Sequence, residues 1–586
     1  MKTRLPKALI IALLASMSGV ATAATMYPNE VLVVDEGKII TWTNYDNMQE
    51  GDAASPLVKD GAGTLRFENV QGSKANYYRA PLVAREGKVE VVDSNMYAHG
   101  TYVPGPAATT WIMVGGKNAE MSFTNSSFRI STGETHMNVG TADGNGTLSL
   151  DKTDMKVTGS IFAGYHSYSN NEDSWGLGYY YNMNGTAATD DIPAAEQNNK
   201  GLTHRYTEGE YKDGYNGHKR KFGEGIINVT NGSTLEVATA FTLGYATLNV
   251  SGDTTLVKTQ TGYGGIVQDD APYEYVDTYA VTLGRWSGAE SKISITEGAR
   301  MEMNGQLRTV RSSGLVNTKS TVEVSGAGSE LLVKATANLG LYDTSGRNTT
   351  IVNALMGGTL NFEKAVLGYD VDMTIGKDSF YNGASLHMKS DSVTVTNAGL
   401  MTVKSVLVEG GALINSGMIV GDIVVDGGEV TLVNGAKTAN LSATSGSLAV
   451  LGDVVFNGDI MLSDTGFLFT DGATIDLQGH DFSFDGGAVT IVVNAATPAV
   501  AMYSLEDEEM LASYGITFKN AGTVTGFEDD IVVTLATMDA EGQIIETGAT
   551  YTLKASDVKV QSIPEPATAT LSLLALAGLC ARRRRK

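Results

Sequence analysis

"KISITEGARMEM" (Lys292–Met303) and "TVEVSGAGSELLV" (Thr321–Val333) share one construction. Each begins with a short run of alternating apolar and polar residues. Four or five residues containing glycine follow, and then a second alternating run. Period-two alternation puts successive side chains on opposite faces of a strand, so each stretch reads as two strands joined by a tight turn. Outward from these, an apolar residue followed by glycine recurs: Val114-Gly115, Val139-Gly140, Ala163-Gly164, Leu243-Gly244, Leu283-Gly284, Leu339-Gly340 and Leu367-Gly368. Gly115, Gly140 and Gly164 are 25 and 24 residues apart, and Gly340 and Gly368 are 28 apart. The 56 residues between Gly284 and Gly340 hold "LRTVR", where Val310-Arg311 fills the missing step.

A period of about 25 residues is the signature of a solenoid. A third short apolar run leads into each apolar-Gly step, as in "ATANLG", so one period holds three short strands. That is one coil of a parallel β-helix, with glycines supplying positive φ at corners. The expected fold class is therefore all-β: a parallel β-helix (solenoid) of about 25-residue rungs, with loop insertions and a C-terminal β-rich cap. One rung cannot bury its apolar residues alone; stacking covers each layer from both sides. The repeat style resembles the passenger segments of autotransporters, but the chain lacks the C-terminal run of alternating strands that a transmembrane barrel needs.

The expected organisation has a signal peptide at 1–23, N-terminal β-rich capping rungs at 24–110, and β-helix repeats at 111–500. A β-rich cap follows at 501–562, where "SLEDEEMLASYG" reads as a short helix, and a distinct tail at 563–586. Lys2, Arg4 and Lys7 precede the apolar "ALIIALLA", and Ala21-Thr22-Ala23 supplies the small residues Ala21 and Ala23 of a cleavage site. Cys580 is the only cysteine, so the body has no disulfide, thiolate nucleophile or Cys–metal site. The formal charge is −23, and without the three cations of the leader and the five of the tail it becomes −31. Nucleic acid and anionic lipid are poor partners for such a body.

The tail reads "IPEPATATLSLLALAGLCARRRRK" (Ile563–Lys586). Prolines keep the backbone before the apolar segment extended. Residues 567–581 would span roughly 22 Å as a helix, short of a hydrocarbon core of about 30 Å. The cations Arg582, Arg583, Arg584, Arg585 and Lys586 form a stop-transfer cluster that stays cytoplasmic. This three-part order closely resembles the PEP-CTERM sorting signal of Gram-negative bacteria, with Pro564, Glu565 and Pro566 as its motif. The resemblance implies an exosortase-type processing enzyme as partner, a precursor held briefly in the inner membrane by its tail, and delivery to the cell surface, outer envelope or extracellular matrix. It implies nothing about chemistry.

Two insertions interrupt the repeat, at 165–225 and 259–279. The first is crowded with aromatic and polar residues, including Trp175, Tyr179, Tyr180 and Tyr181. Aromatic rings with polar edges suit sugar rings, so these four are the candidate glycan contacts; solvated, variable decoration is the competing reading. Tyr165, Tyr245 and Tyr369 each follow a repeat glycine and suggest an aromatic column of structural character.

A catalytic row would gather carboxylates on one face of neighbouring rungs. Aligning the rungs gives Ser122, Ser149, Asn228, Asn249, Ser294 and Glu323 at the outward position of the first strand. The second strand contributes Arg129, Lys156, Glu236, Glu302 and Asn361. Both columns read as solvated faces. Asp190-Asp191 and Asp269-Asp270 sit in the insertions, where a Ca²⁺ ion could be held; otherwise no cofactor is expected, and no residue is assigned to catalysis or to a metal. The histidines have no metal-ligand spacing, and no Walker, nucleophile-elbow or zincin motif is present. The reading is a non-enzymatic surface or matrix protein of structural or adhesive character, with exopolysaccharide or other surface glycans as contacts. The alternative is a β-helical carbohydrate-active enzyme, a polysaccharide lyase or hydrolase.

Overall fold

The computed structural model describes residues 31–43, 57–73, 82–98, 109–130, 135–140, 144–164, 211–213, 219–221, 223–259, 279–284, 288–310, 317–340, 348–493, 514–539 and 544–562. Among them every regular element is a strand except one 3-10 turn, Ala555–Asp557. The chain divides into two units, Met1–Met373 with Ser379–Asn382, and Thr374–Asp378 with Gly383–Lys586.

In the first unit the chain returns to the same face in the same direction with every coil, so its ladders are parallel. One sheet stacks Gly146–Asp151, Gly225–Thr230, Ala246–Ser251, Glu290–Thr296, Lys319–Ser325 and Thr349–Leu355. The second stacks Asp154–Val157, Thr234–Val237, Leu256–Thr259, Arg300–Met303 and the start of Glu330–Leu339. The third stacks Ile161–Ala163, Phe241–Leu243, Tyr279–Leu283 and Gln306–Thr309. Three strands per coil, all parallel, make the β-helix that the sequence predicts. Inward positions stack like on like: Leu148, Ile227, Leu248, Ile293, Val322 and Val352 follow one another in register, each 0% exposed. Rung length is less regular than the expected 25. Corner partners are 32 residues apart at Ser94/Ser126 and 23 apart at Gly232/Thr255.

The apolar-Gly step is a backbone ladder. Gly140 donates its N–H to Val114 O at 2.7 Å; Gly164, Gly244 and Gly368 donate to Val139, Ala163 and Leu339 carbonyls, each at 2.8 Å. Gly140, Gly164, Gly284 and Gly340 have φ between 61° and 67°. At Gly164 an added Cβ would meet the Tyr245 carbonyl oxygen at 2.0 Å, so close backbone approach as well as φ requires glycine. Two expectations need correction. Gly115, Gly244 and Gly368 are not left-handed; Gly244 and Gly368 keep the hydrogen bond of the step without the turn. The missing step is Thr309-Val310, one residue earlier than expected: Thr309 pairs with Leu283, and buried Val310 takes the left-handed conformation at φ 56°.

The corner between first and second strands works differently. Here a backbone N–H of one coil donates to a buried hydroxyl of the next. Val70 donates to Ser94 Oγ at 3.0 Å, Ser94 to Ser126 Oγ at 3.1 Å, and Thr153 to Ser233 Oγ at 3.0 Å. Gly232 donates to Thr255 Oγ1 at 2.8 Å and Gly298 to Ser329 Oγ at 3.0 Å. The hydroxyls satisfy corner donors that no strand can reach. Asp93, Asn125 and Lys152, just before such hydroxyls, make the sharp turn with φ of 47–49°.

In the second unit the coils are tighter, with Asn397 and Asn415 in equivalent places 18 residues apart. Val393–Asn397, Ala412–Asn415 and the end of Met418–Val433 pair in parallel, followed by Leu441–Leu451, Gly466–Thr470, Val489–Val493 and Ile531–Met538. One strand breaks the parallel order: Ile544–Leu553 lies antiparallel to Ile531–Met538, after which Val558–Ser562 pairs in parallel with Ile516–Ala521. Phenylalanines fill the core near this end, with Phe482 and Phe518 rings 4.7 Å apart and Phe484 stacked on Phe527 at 5.6 Å.

Candidate functional surface

Most residues that the sequence marks for function lie outside the described residues: Ala21, Ala23, Trp175, Tyr179, Tyr180, Tyr181, Pro564–Pro566 and Arg582–Lys586, with the acid pairs Asp190-Asp191 and Asp269-Asp270. The helix expected in "SLEDEEMLASYG" also falls largely outside them. Of the first insertion, Tyr211–Asp213 and Lys219–Lys221 form an antiparallel pair. Among the described residues no three His, Cys, Asp or Glu side chains gather to hold a metal, and no helix is long and apolar enough to cross a membrane; segment 567–581 is outside them.

The outward columns can be followed rung by rung. On the first sheet the register aligns Ser122, Ser149, Asn228, Asn249, Ser294 and Glu323, the order that the sequence alignment gives. They form a polar ladder: Asn228 Nδ2 donates to Ser149 Oγ at 3.2 Å, and Asn249 Nδ2 to Asn228 Oδ1 at 2.9 Å. On the second sheet Lys156, Glu236, Lys258 and Glu302 succeed one another with alternating sign. Lys156 pairs with Glu236 at 3.2 Å, Lys334 pairs with Glu302, and Arg129 with Asp154. Charges that neutralise one another between rungs hold a surface together.

A groove of about 220 Å³ opens at the leading edge of the first sheet. Glu224, Tyr245, Glu290 and Lys319 line it from successive coils, each immediately before or at the start of a first strand. Two residues further on, Thr247, Lys292 and Thr321 line it as the adjacent outward column. The backbone fixes these positions. Gly146 N–H donates to Glu224 O at 2.8 Å, Tyr245 N–H to Gly164 O at 3.1 Å, Gly225 N–H to Tyr245 O at 3.0 Å, and Lys319 N–H to Ala289 O at 2.8 Å. Lys292 Nζ donates to Glu323 at 3.1 Å. Of the three tyrosines that follow a repeat glycine, Tyr245 is half-buried in this groove, Tyr369 is exposed, and Tyr165 lies outside the described residues. Sequence reasoning missed the groove because Glu224, Glu290 and Lys319 precede the alternating runs. The signal was the column at the leading edge of the first strands, just before Gly225 and Ala246 and at the first residues of Glu290–Thr296 and Lys319–Ser325.

Comparison with known proteins locates a PEP-CTERM protein-sorting motif at residues 562–586. No curated protein and no solved structure matches the chain.

Proposed function

We propose that this chain, a PEP-CTERM protein exported to the cell surface or extracellular space and sorted by an exosortase, serves there as a non-enzymatic structural or adhesive element that contacts polysaccharide. The sorting motif carries the reading, since it joins an exported fate to a long body whose outward columns are tied up in rung-to-rung hydrogen bonds and ion pairs. A rigid solenoid presents many equivalent positions to an extended polymer. The aromatic-rich insertion, with Trp175 and Tyr179–Tyr181, is the proposed contact region, and the tail 567–581 the transient membrane segment. Replacing Pro564-Glu565-Pro566 with alanines and following the protein by cell fractionation tests the sorting. Replacing 165–210 with a short linker and measuring adherence to extracted surface polysaccharide tests the contact; adherence equal to wild type would remove the loop from the account.

The second reading, a carbohydrate-active enzyme, draws on one observation: Glu224 and Glu290 face the same groove, and glycoside hydrolysis uses two carboxylates. Release of reducing ends from the polysaccharide, abolished by Glu224→Gln or Glu290→Gln, would establish it.

A further inference from the structure

We infer that the groove lined by Glu224, Tyr245, Thr247, Lys292, Lys319 and Thr321 is a binding subsite for a neutral hexose polymer that runs across the coils. This rests on the polysaccharide-contact reading but moves the contact from the insertion to the body. Three observations lead to it.

The first is the lining. Half-buried Tyr245 lines the groove, and a tyrosine ring joins an apolar surface to a polar edge, which suits the two-sided character of a pyranose ring. Around it stand carboxylates that accept from sugar hydroxyls, ammonium groups that donate to them, and threonine hydroxyls that do both. Sites for small ligands and cofactors follow the same plan, apolar area with a few convergent polar groups.

The second is charge. Glu224 and Glu290 match Lys292 and Lys319 in number, and Lys292 is already bonded to Glu323, so the groove carries no surplus of positive charge in a chain of formal charge −23. The field of the remaining surface repels a polyanion, and the groove has no excess of cations to reverse that. A neutral chain escapes the penalty.

The third is direction. The groove follows the stacking axis, with Tyr245, Glu290 and Lys319 one coil apart. Coils repeat at about 4.8 Å, close to the length of one sugar residue, so successive rungs can meet successive rings. Beside the groove the Asn249–Asn228–Ser149 ladder continues at the same repeat, with its amides already oriented by each other. Orientation before binding limits the entropy lost on ordering.

The test uses the full chain in detergent, with hexamers of glucose, mannose and galactose and an oligouronate hexamer as probes, read by calorimetry. At least one neutral hexamer is expected to bind, more tightly than the uronate. Tyr245→Ala should weaken it about tenfold, the scale of one well-packed aromatic contact. Thr321→Lys, which adds bulk to the groove two coils away from Tyr245, should weaken it as well, and the chain with 165–210 replaced by a linker should bind as wild type does. If binding is lost on replacing the loop and unchanged in Tyr245→Ala and Thr321→Lys, the groove inference falls and the loop contact stands. If no neutral hexamer binds any form, both fall.

Discussion

Asn397 donates its side-chain amide to Oδ1 of Asn415, 2.8 Å away and one coil on, with both residues 0% exposed. Each amide oxygen also accepts a backbone N–H two residues ahead, from Gly399 at 3.3 Å and Gly417 at 3.2 Å, and Asn415 passes its own donor to Lys437 O at 3.2 Å. These corners are therefore satisfied only as a stack. Asn415→Leu should lower stability by about 2–3 kcal/mol, because it strands buried partners on both sides. Asn397→Leu with Asn415→Leu should cost less than the sum of the two single changes. Urea denaturation followed by far-UV circular dichroism measures both; strict additivity would mean that the two amides act independently.

Tyr381 presents the opposite case. It is 0% exposed, its ring meets Phe362 edge-on at 5.9 Å, and its hydroxyl has no hydrogen-bond partner among the described residues. Burial pushes the hydroxyl far above the usual tyrosine range. Tyr381→Phe keeps the ring and removes the stranded oxygen, so a gain of about 1 kcal/mol or more is expected. A higher urea midpoint is the expected result; a lower one would reveal a partner such as an ordered water.

For Glu302, burial alone would raise the carboxyl. The hydrogen bond and charge of Lys334, with the charges of Lys258 and Arg300, outweigh it and hold the group below the usual carboxylate range. A depressed folded-state value stabilises the protein above the unfolded carboxylate value near 4.3, and that contribution is lost as pH falls through the folded one. Glu302→Gln should therefore be less stable than wild type at pH 6, by about 1 kcal/mol or less because Lys334 is half exposed. By pH 3 the difference should shrink. A gap that is constant between the two pH values would show that the pair contributes no charge-linked stability.

Lys59 is fully buried, donates to the Gly61 and Glu86 carbonyls, and is pushed down to about 8 by that burial. The folded protein binds this proton less readily than the unfolded chain, so this group's unfavourable contribution fades as pH rises from about 8 toward about 10.4. The stability of wild type relative to Lys59→Met should accordingly improve between pH 7 and 9.5, read from paired denaturation curves. A flat difference would refute the assignment.

The sorting motif predicts two distinct failures. With Pro564-Glu565-Pro566 changed to alanines, the precursor should remain in the membrane fraction with its C-terminus uncut. With Arg582–Lys586 neutralised, part of the protein should pass through the membrane with its tail intact. Mass spectrometry of each fraction identifies the end directly, and identical processing in both variants would overturn the sorting assignment.

The faces of the first-sheet strands were readable because inward and outward residues alternate there: Ser149, Asn228 and Asn249 align from sequence as they do in the ladder. Corners were harder. Glycine advertised left-handed turns at Gly140 and Gly164, but Asp93, Asn125 and Lys152 take the same conformation unannounced, held there by the hydroxyl just after each. The recurring "DSN", "NSS" and "KTD" at positions 93–95, 125–127 and 152–154 carried that signal. The Asn397–Asn415 stack was hidden for another reason: its 18-residue spacing breaks the longer period set by earlier rungs. The groove required knowledge of which residues precede each strand, and alternation says nothing about those.

In each unit, a strand's partners are supplied by neighbouring coils: Ile293 lies beside Val322, and Leu413 beside Val430. Few segments wait for a distant part of the chain before they can pair. An exported polypeptide threads through the membrane from its N-terminus, and such a topology lets each emerging turn add to the turn already laid down. Translocation and folding can then proceed on one timetable, with little unpaired edge exposed at any moment. The antiparallel strand Ile544–Leu553 comes off the translocon late and folds back on Ile531–Met538, the strand just before it in the chain, so it too waits for no distant partner.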